Sequence, residues 1–173
     1  MAEWPTHPLV TMTSEIIDIQ PLTDLSELAS VRSLLAEYAN SLPVDLCFQN
    51  FEAELAALPG DYAAPRGALM LARSRQELVG CCALRPLDAV DYPNACEMKR
   101  LYVRPALRGC GLGRRLAEAV MEAAQQAGYA CMLLDTLSEM ETARAMYQDL
   151  GFSEVPPYYY NPIEGAHYLM ARL

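Results

Sequence analysis

Residues 101–115 read LYVRPALRGCGLGRR, and the reading of this stretch decides that of the rest of the chain. An apolar, strand-like run ends at Val103, and Pro105 opens a short connection. Gly109, Gly111 and Gly113 then lead into a helix whose apolar stripe is Leu112, Leu116 and Val120. Glycines at this spacing let the backbone approach a ligand closely and turn successive N–H groups toward it. The unpaired donors and positive dipole end of the helix add to them, which makes the junction a site for phosphate or pyrophosphate. Arg108, Arg114 and Arg115 supply charge-assisted contacts to such an anion. The plain alternative is a glycine-rich turn with incidental arginines. A phosphate loop of the Gly-Lys-Ser/Thr kind is excluded, because Arg114 follows Gly113. A dinucleotide fingerprint counted from Gly109 needs a small residue at position 114 and fails at Arg114.

The chain around this loop has 173 residues, 53% of them hydrophobic and 20% charged, which suits one globular domain rather than a disordered segment. No apolar run approaches the ~18 residues of a membrane span. The first residues show neither the basic start nor the apolar run of a secretory signal. A net charge of −9 argues against a general nucleic-acid binder, whose phosphate contacts need a basic face. It also disfavours an anionic membrane surface as partner. Three arginines gathered at one loop of an acidic chain point to a small anionic ligand instead of a polymer. The six cysteines form no CxxC pair, and the two histidines, His7 and His167, are remote from them in sequence, so zinc is poorly supported. Reduced thiols in a cytoplasm are the simplest expectation.

Along the chain, residues 1–14 read as a tail, with Met12 an alternative start to Met1, and residues 15–173 as one domain. A first strand is expected over 15–20. Asp24 caps the helix that follows, Glu27 completes a capping box, and Leu25, Leu28, Leu35 and Tyr38 share a face. A second helix is expected over 45–58, with Phe48, Phe51, Leu55 and Leu58 at helical spacing and Pro59-Gly60 as its stop. Strands over 68–73 and 77–85 flank Ser74-Arg75-Gln76 as a hairpin. A strand over 95–103, a helix over 111–127, a strand over 129–136 and a helix over 141–150 follow. Short strands over 152–155 and 167–173 close an α/β domain.

With these blocks in order, the chain resembles the GCN5-related N-acetyltransferase (GNAT) family. Arg108-x-x-Gly111-x-Gly113 matches the family's Q/R-x-x-G-x-G/A acetyl-CoA loop, between strand and helix as required. Leu101-Tyr102-Val103-Arg104-Pro105 resembles the fourth strand and its exit. Residues 143–152, ARAMYQDLGF, resemble the later helix with its tyrosine and closing Gly-Phe. The N-terminal half agrees in element order only.

The resemblance implies a single GNAT-like domain: a mixed, mostly antiparallel sheet, splayed between its fourth and fifth strands and flanked by helices. It implies an enzyme that moves an acetyl group from acetyl-CoA to a primary amine of a small molecule or peptide, by direct attack in a ternary complex and with no metal. A non-catalytic acyl-CoA sensor is the alternative, and a homodimer is left open. The implied cofactor-binding residues are Leu101, Tyr102 and Val103 along the pantetheine arm, and Arg108, Gly109, Cys110, Gly111, Leu112, Gly113 and Arg114 around the pyrophosphate. Tyr147 is implied as the acid that protonates the departing thiolate, a phenol of pKa near 10 answering a thiol near ~8.5. Two readings of Glu97 stand: a general base, or a carboxylate paired with Lys99 or Arg100. Cys110 as an acyl acceptor is set aside, because no His or Asp is nearby in sequence to complete a nucleophilic set. Asp135 and Thr136 are expected to border the acceptor pocket. Tyr158, Tyr159 and Tyr160 either line it, as residues of the segment 43–67 also could, or pack as an ordinary loop on the sheet.

Overall fold

A computed structural model describes residues 16–173; the expected tail over residues 1–14 and both candidate starts lie outside them. A seven-stranded sheet runs through the molecule in the order β1-β2-β3-β4-β5-β7-β6. Its strands are β1 (Ile17–Pro21), β2 (Ala68–Ser74), β3 (Glu77–Pro86), β4 (Ala95–Val103), β5 (Cys131–Leu137), β6 (Ser153–Val155) and β7 (Ala166–Arg172). All neighbours are antiparallel except β4 and β5. The helices are α1 (Leu28–Ser41), α2 (Phe51–Ala57), α3 (Leu112–Gln126) and α4 (Glu141–Asp149). The expected mixed sheet is therefore present.

Each face of the sheet has its own core. On one side α3 presents Leu112, Leu116, Ala117, Val120 and Ala124 to Cys82, Leu84, Cys96 and Met98, joined by Tyr147 and Phe152. Each fully buried leucine there is worth about 1.5–3 kcal/mol. On the other side α1 presents Val31, Leu34 and Leu35 to Leu69, Leu71, Cys81 and Tyr102.

The N-terminal helices differ in detail from expectation. Asp24 caps a short 3-10 turn, Leu25–Glu27, by accepting from the Ser26 N–H at 2.9 Å. Glu27 closes no capping box, because Arg73 of β2 takes both its oxygens at 2.7 and 2.8 Å. Leu25 is exposed, so the inward face begins later. The helix expected over 45–58 is broken: Asn50 adopts φ +58°, between a 3-10 turn at Cys47–Gln49 and α2.

Two irregularities open the sheet. β4 and β5 pair only at Ala95–Cys131, Cys96–Met132 and Glu97–Leu133, after which they diverge. Opposite β3, the register steps from Ala83–Lys99 to Cys81–Tyr102, so β4 carries one extra residue, and Arg100 sits there at φ +59°. This is a β-bulge, which bends its strand and re-aims side chains. The wedge between β4 and β5 is where the chain's chemistry gathers.

Candidate active site

The wedge continues into a cleft of about 920 Å³, walled by β4 from Met98 to Val103, β5 from Leu134 to Thr136, the glycine loop, and α4. At one end stands the loop. After Val103 the chain makes a 3-10 turn at Pro105–Leu107, and the Arg108 N–H returns to the Pro105 carbonyl at 3.2 Å. Gly109 and Gly111 take φ +81° and +79°, left-handed values that cost an L-residue about 1–2 kcal/mol. A Cβ at either would meet nothing within 4 Å, so backbone conformation, not crowding, is what asks for glycine. The Arg115 N–H bonds the Gly111 carbonyl at 3.1 Å. The amides of Leu112, Gly113 and Arg114 therefore belong to the unpaired first turn of α3. Backbone donors and the dipole end of α3 face one place, as an anion site requires.

The loop's side chains brace it more than they reach outward. Arg108 Nε donates to the Val103 carbonyl at 2.8 Å, and its guanidinium lies 5.7 Å over the Tyr102 ring. Arg114 pairs with Glu118 at 3.0 Å and Asp149 at 3.6 Å. Arg115 donates to the Ile17 carbonyl and does not line the cleft. Cys110 Sγ donates to the Leu107 carbonyl at 2.9 Å, off the cleft wall. The Arg108 amide is thus already bonded within the loop, and the Arg115 side chain is held away from the cleft wall.

Tyr147 of α4 lines the cleft with its ring edge-on to Phe152 at 5.8 Å. Burial pushes its phenol well above the ordinary range. Its hydroxyl has no hydrogen-bond partner among the described residues, and it is not a sealed, unsatisfied atom. It is an uncommitted proton donor at the cleft.

The other end is built from side chains. Three carboxylates each hold a tyrosine hydroxyl and at least one cation. Glu54 of α2 accepts from Arg100 Nε at 2.9 Å and Nη2 at 2.7 Å, and from Tyr62 at 2.8 Å. Glu97 of β4 accepts from Arg85 at 2.7 Å and Tyr158 at 2.7 Å, with Lys99 at 3.8 Å. Asp135 of β5 accepts from Lys99 at 3.1 Å and Tyr159 at 2.8 Å. Gln49 links two of these units: its Oε1 accepts from Arg100 at 2.8 Å, and its Nε2 donates to the Tyr159 oxygen at 3.4 Å. Burial works to raise the Glu54 pKa, but Arg100 and Tyr62 outweigh it and hold the carboxyl below its ordinary value. Burial also pushes the Tyr38 phenol up to about 12.

Each residue whose reading was left open has a definite place in this geometry. Glu97 is fully buried, does not line the cleft, and is paired, its closest cation being Arg85 directly across the β3–β4 register. Tyr158 and Tyr159 bind carboxylates behind the wall and pack against Tyr168, while Tyr160 is exposed. Asp135 and Thr136 do line the cleft, as expected. Tyr38, Lys99 and Arg100 are wall residues that sequence reasoning did not place there, while Gln49 belongs to the 43–67 segment that it named without singling out a residue. Gln49 carries no motif, and only the bulge brings the adjacent Lys99 and Arg100 to one site. Among the described residues, no group of three His, Cys, Asp or Glu side chains is placed to hold a metal ion. No helix there is long and apolar enough to cross a membrane.

A splayed α/β sheet with an anion-binding glycine loop at the splay defines a class of coenzyme-binding acyltransferase folds. The acetyltransferase (GNAT) family model matches residues 29–152, and the chain belongs to that family, whose members are acetyl-CoA-dependent acyltransferases. An uncharacterized N-acetyltransferase of Schizosaccharomyces pombe is 38% identical over 144 residues, covering 83% of this chain and 86% of its own. A GNAT-family acetyltransferase from Staphylococcus aureus Mu50 superimposes with a TM-score of 0.73 at 19% identity, over 91% of this chain and 99% of its own. A Salmonella typhimurium protein solved with its cofactor acetyl-CoA superimposes at 0.65 and 17% identity, over 91% of this chain and 94% of its own.

Proposed function

We propose that the protein transfers the acetyl group of acetyl-CoA to a primary amine of a small molecule or peptide, by direct attack while both are bound. The observation that supports this most is the union, in one cleft, of the loop's unpaired amides with the partnerless hydroxyl of Tyr147. The amides from Gly109 to Arg114 and the start of α3 suit a pyrophosphate, and the open surface over Gly109 and Gly111 leaves room for it. The backbone of Leu101 and Val103, on the edge of β4 released from β5 beyond Glu97, suits an extended amide-bearing arm, while the Tyr102 carbonyl between them turns to β3. Val103 contributes less, since its carbonyl already accepts from Arg108.

Tyr147 gives its proton to the departing thiolate, and its raised pKa keeps it protonated until that charge develops. The acceptor arrives as an ammonium ion and must shed a proton before it attacks. We assign that proton to Asp135, directly or through one water, because it is the wall carboxylate held between Lys99 and Tyr159. Glu97 then acts behind the wall, holding Lys99 and Arg85 in place.

Thermal unfolding with acetyl-CoA, beside CoA, ATP and NAD, tests the ligand. Selective stabilisation by the CoA species that grows with concentration is expected. Its absence would end this reading, and stabilisation with no turnover over a broad amine panel would leave an acyl-CoA sensor. The proton acceptor is tested by pH–rate profiles. Asp135→Asn should flatten the acidic limb of kcat/KM while Glu97→Gln keeps its shape; the reverse result returns the base to Glu97.

A further inference from the structure

Two buried cations stand side by side on the wall of the cleft, in a chain of net charge −9. Lys99 and Arg100 stand on the wall beside Asp135, while the other charged wall residues, Arg108, Arg114, Glu139, Glu141 and Asp149, belong to the glycine loop, α3, α4 and the turn before α4. In an uninterrupted strand, consecutive side chains point to opposite faces. The extra residue at Arg100 breaks that alternation: Lys99 reaches Asp135 and Tyr159, Arg100 reaches Gln49, and Gln49 in turn reaches Tyr159. The bulge therefore brings two neighbouring cations to one side.

Both are deeply buried, with side chains 6% and 2% exposed. Glu54 and Glu97, which balance them from behind, are not wall residues. An ammonium has three N–H donors and a guanidinium five. Asp135 takes one from Lys99, with Glu97 beyond hydrogen-bond distance; Glu54 and Gln49 take three from Arg100. Donors remain on both cations, already fixed in place, in a setting where charge interactions are stronger than in water. Asp135 likewise retains lone pairs beyond those used by Lys99 and Tyr159.

We propose that the acceptor is an amino-carboxylate, with Lys99 and Arg100 binding its carboxylate and Asp135 receiving its amine. This rests on the acetyltransferase reading and narrows it to a substrate class. A neutral amine would leave the spare donors of two buried cations unanswered, whereas a zwitterion answers both signs of charge at once.

The test is a matched panel: phenylalanine, phenylalaninamide and 2-phenylethylamine, with 4-aminobutyrate against butylamine. The amide's amine is the less basic and so more often unprotonated, which biases the panel against the proposal. Even so, the carboxylate-bearing member of at least one set should lead its neutral partners by about tenfold or more in kcat/KM. Lys99→Met should erase that lead, with a smaller loss on the neutral amines. Equal or better use of the neutral amines by the wild-type protein overturns the proposal, whether or not the variant folds. So does failure to acetylate either carboxylate acceptor while acetyl-CoA still stabilises the protein. Failure of acetyl-CoA to stabilise it is a different result, which overturns the acetyltransferase reading itself.

Discussion

The two ends of the cleft are made of different materials. The loop end is backbone: glycines at positive φ, amides of an unpaired helix turn, and arginines that brace rather than reach. The acceptor end is side chain, from β3, β4, β5, the segment around α2, and the loop before β7. A backbone site tolerates many neighbours but few changes of conformation. A side-chain site of buried ions tolerates neither the loss of a partner nor its movement. A cofactor common to a family suits the first construction, and an acceptor particular to one protein suits the second.

The contrast breaks most visibly at Arg100. Replacing it with Met strands Glu54 in a half-buried position without its cation, and the loss of one partner from a buried pair costs about 3–5 kcal/mol. Urea unfolding should register that loss, and a change under about 1 kcal/mol would make the acceptor end no more brittle than a surface ion pair. Tyr147→Phe comes next and acts on rate alone: kcat should fall about 10²-fold with little change in acetyl-CoA affinity, measured by steady-state kinetics. Gly111→Ala sharpens the comparison from the other side. The added Cβ has open space but the wrong backbone, so stability should fall by about 1 kcal/mol, and acetyl-CoA should bind several-fold more weakly by calorimetry.

The smallest effect is a pH dependence. Glu54 titrates below its ordinary value of 4.5, so it stabilises the fold above that pH and loses this contribution as pH falls through its lowered, folded-state value. The unfolding temperature should therefore drop on acidification below about 4.5. Glu54→Gln should flatten that part of the curve, and an unchanged slope would remove Glu54 from the account.

The same division explains what could be read from sequence. The succession of strands and helices and the loop were legible because they rest on local periodicity and on glycine, whose conformational meaning travels with it, whereas the splay was implied by the family resemblance alone. Glu27 looked like half of a capping box, but Arg73, 46 residues away, offered it a charge as well as hydrogen bonds. Asn50 interrupted a helical pattern by taking a left-handed conformation that its short polar side chain tolerates. Glu97 has Arg85 as its closest cation, rather than the neighbouring Lys99 or Arg100, because the β3–β4 register sets those two residues opposite each other. Nothing local in the sequence announces that register, nor the bulge that turns Lys99 and Arg100 to one side.

Lys99 is the only lysine in the sequence, and its side chain is 6% exposed. Reagents that seek amines thus have a single side-chain target, and the folded wall hides it. The rate at which a small activated ester labels Lys99 becomes a clock for the opening of the acceptor end. A ligand that fills that end should slow the clock, and the mass of the peptide that carries Lys99 would report it.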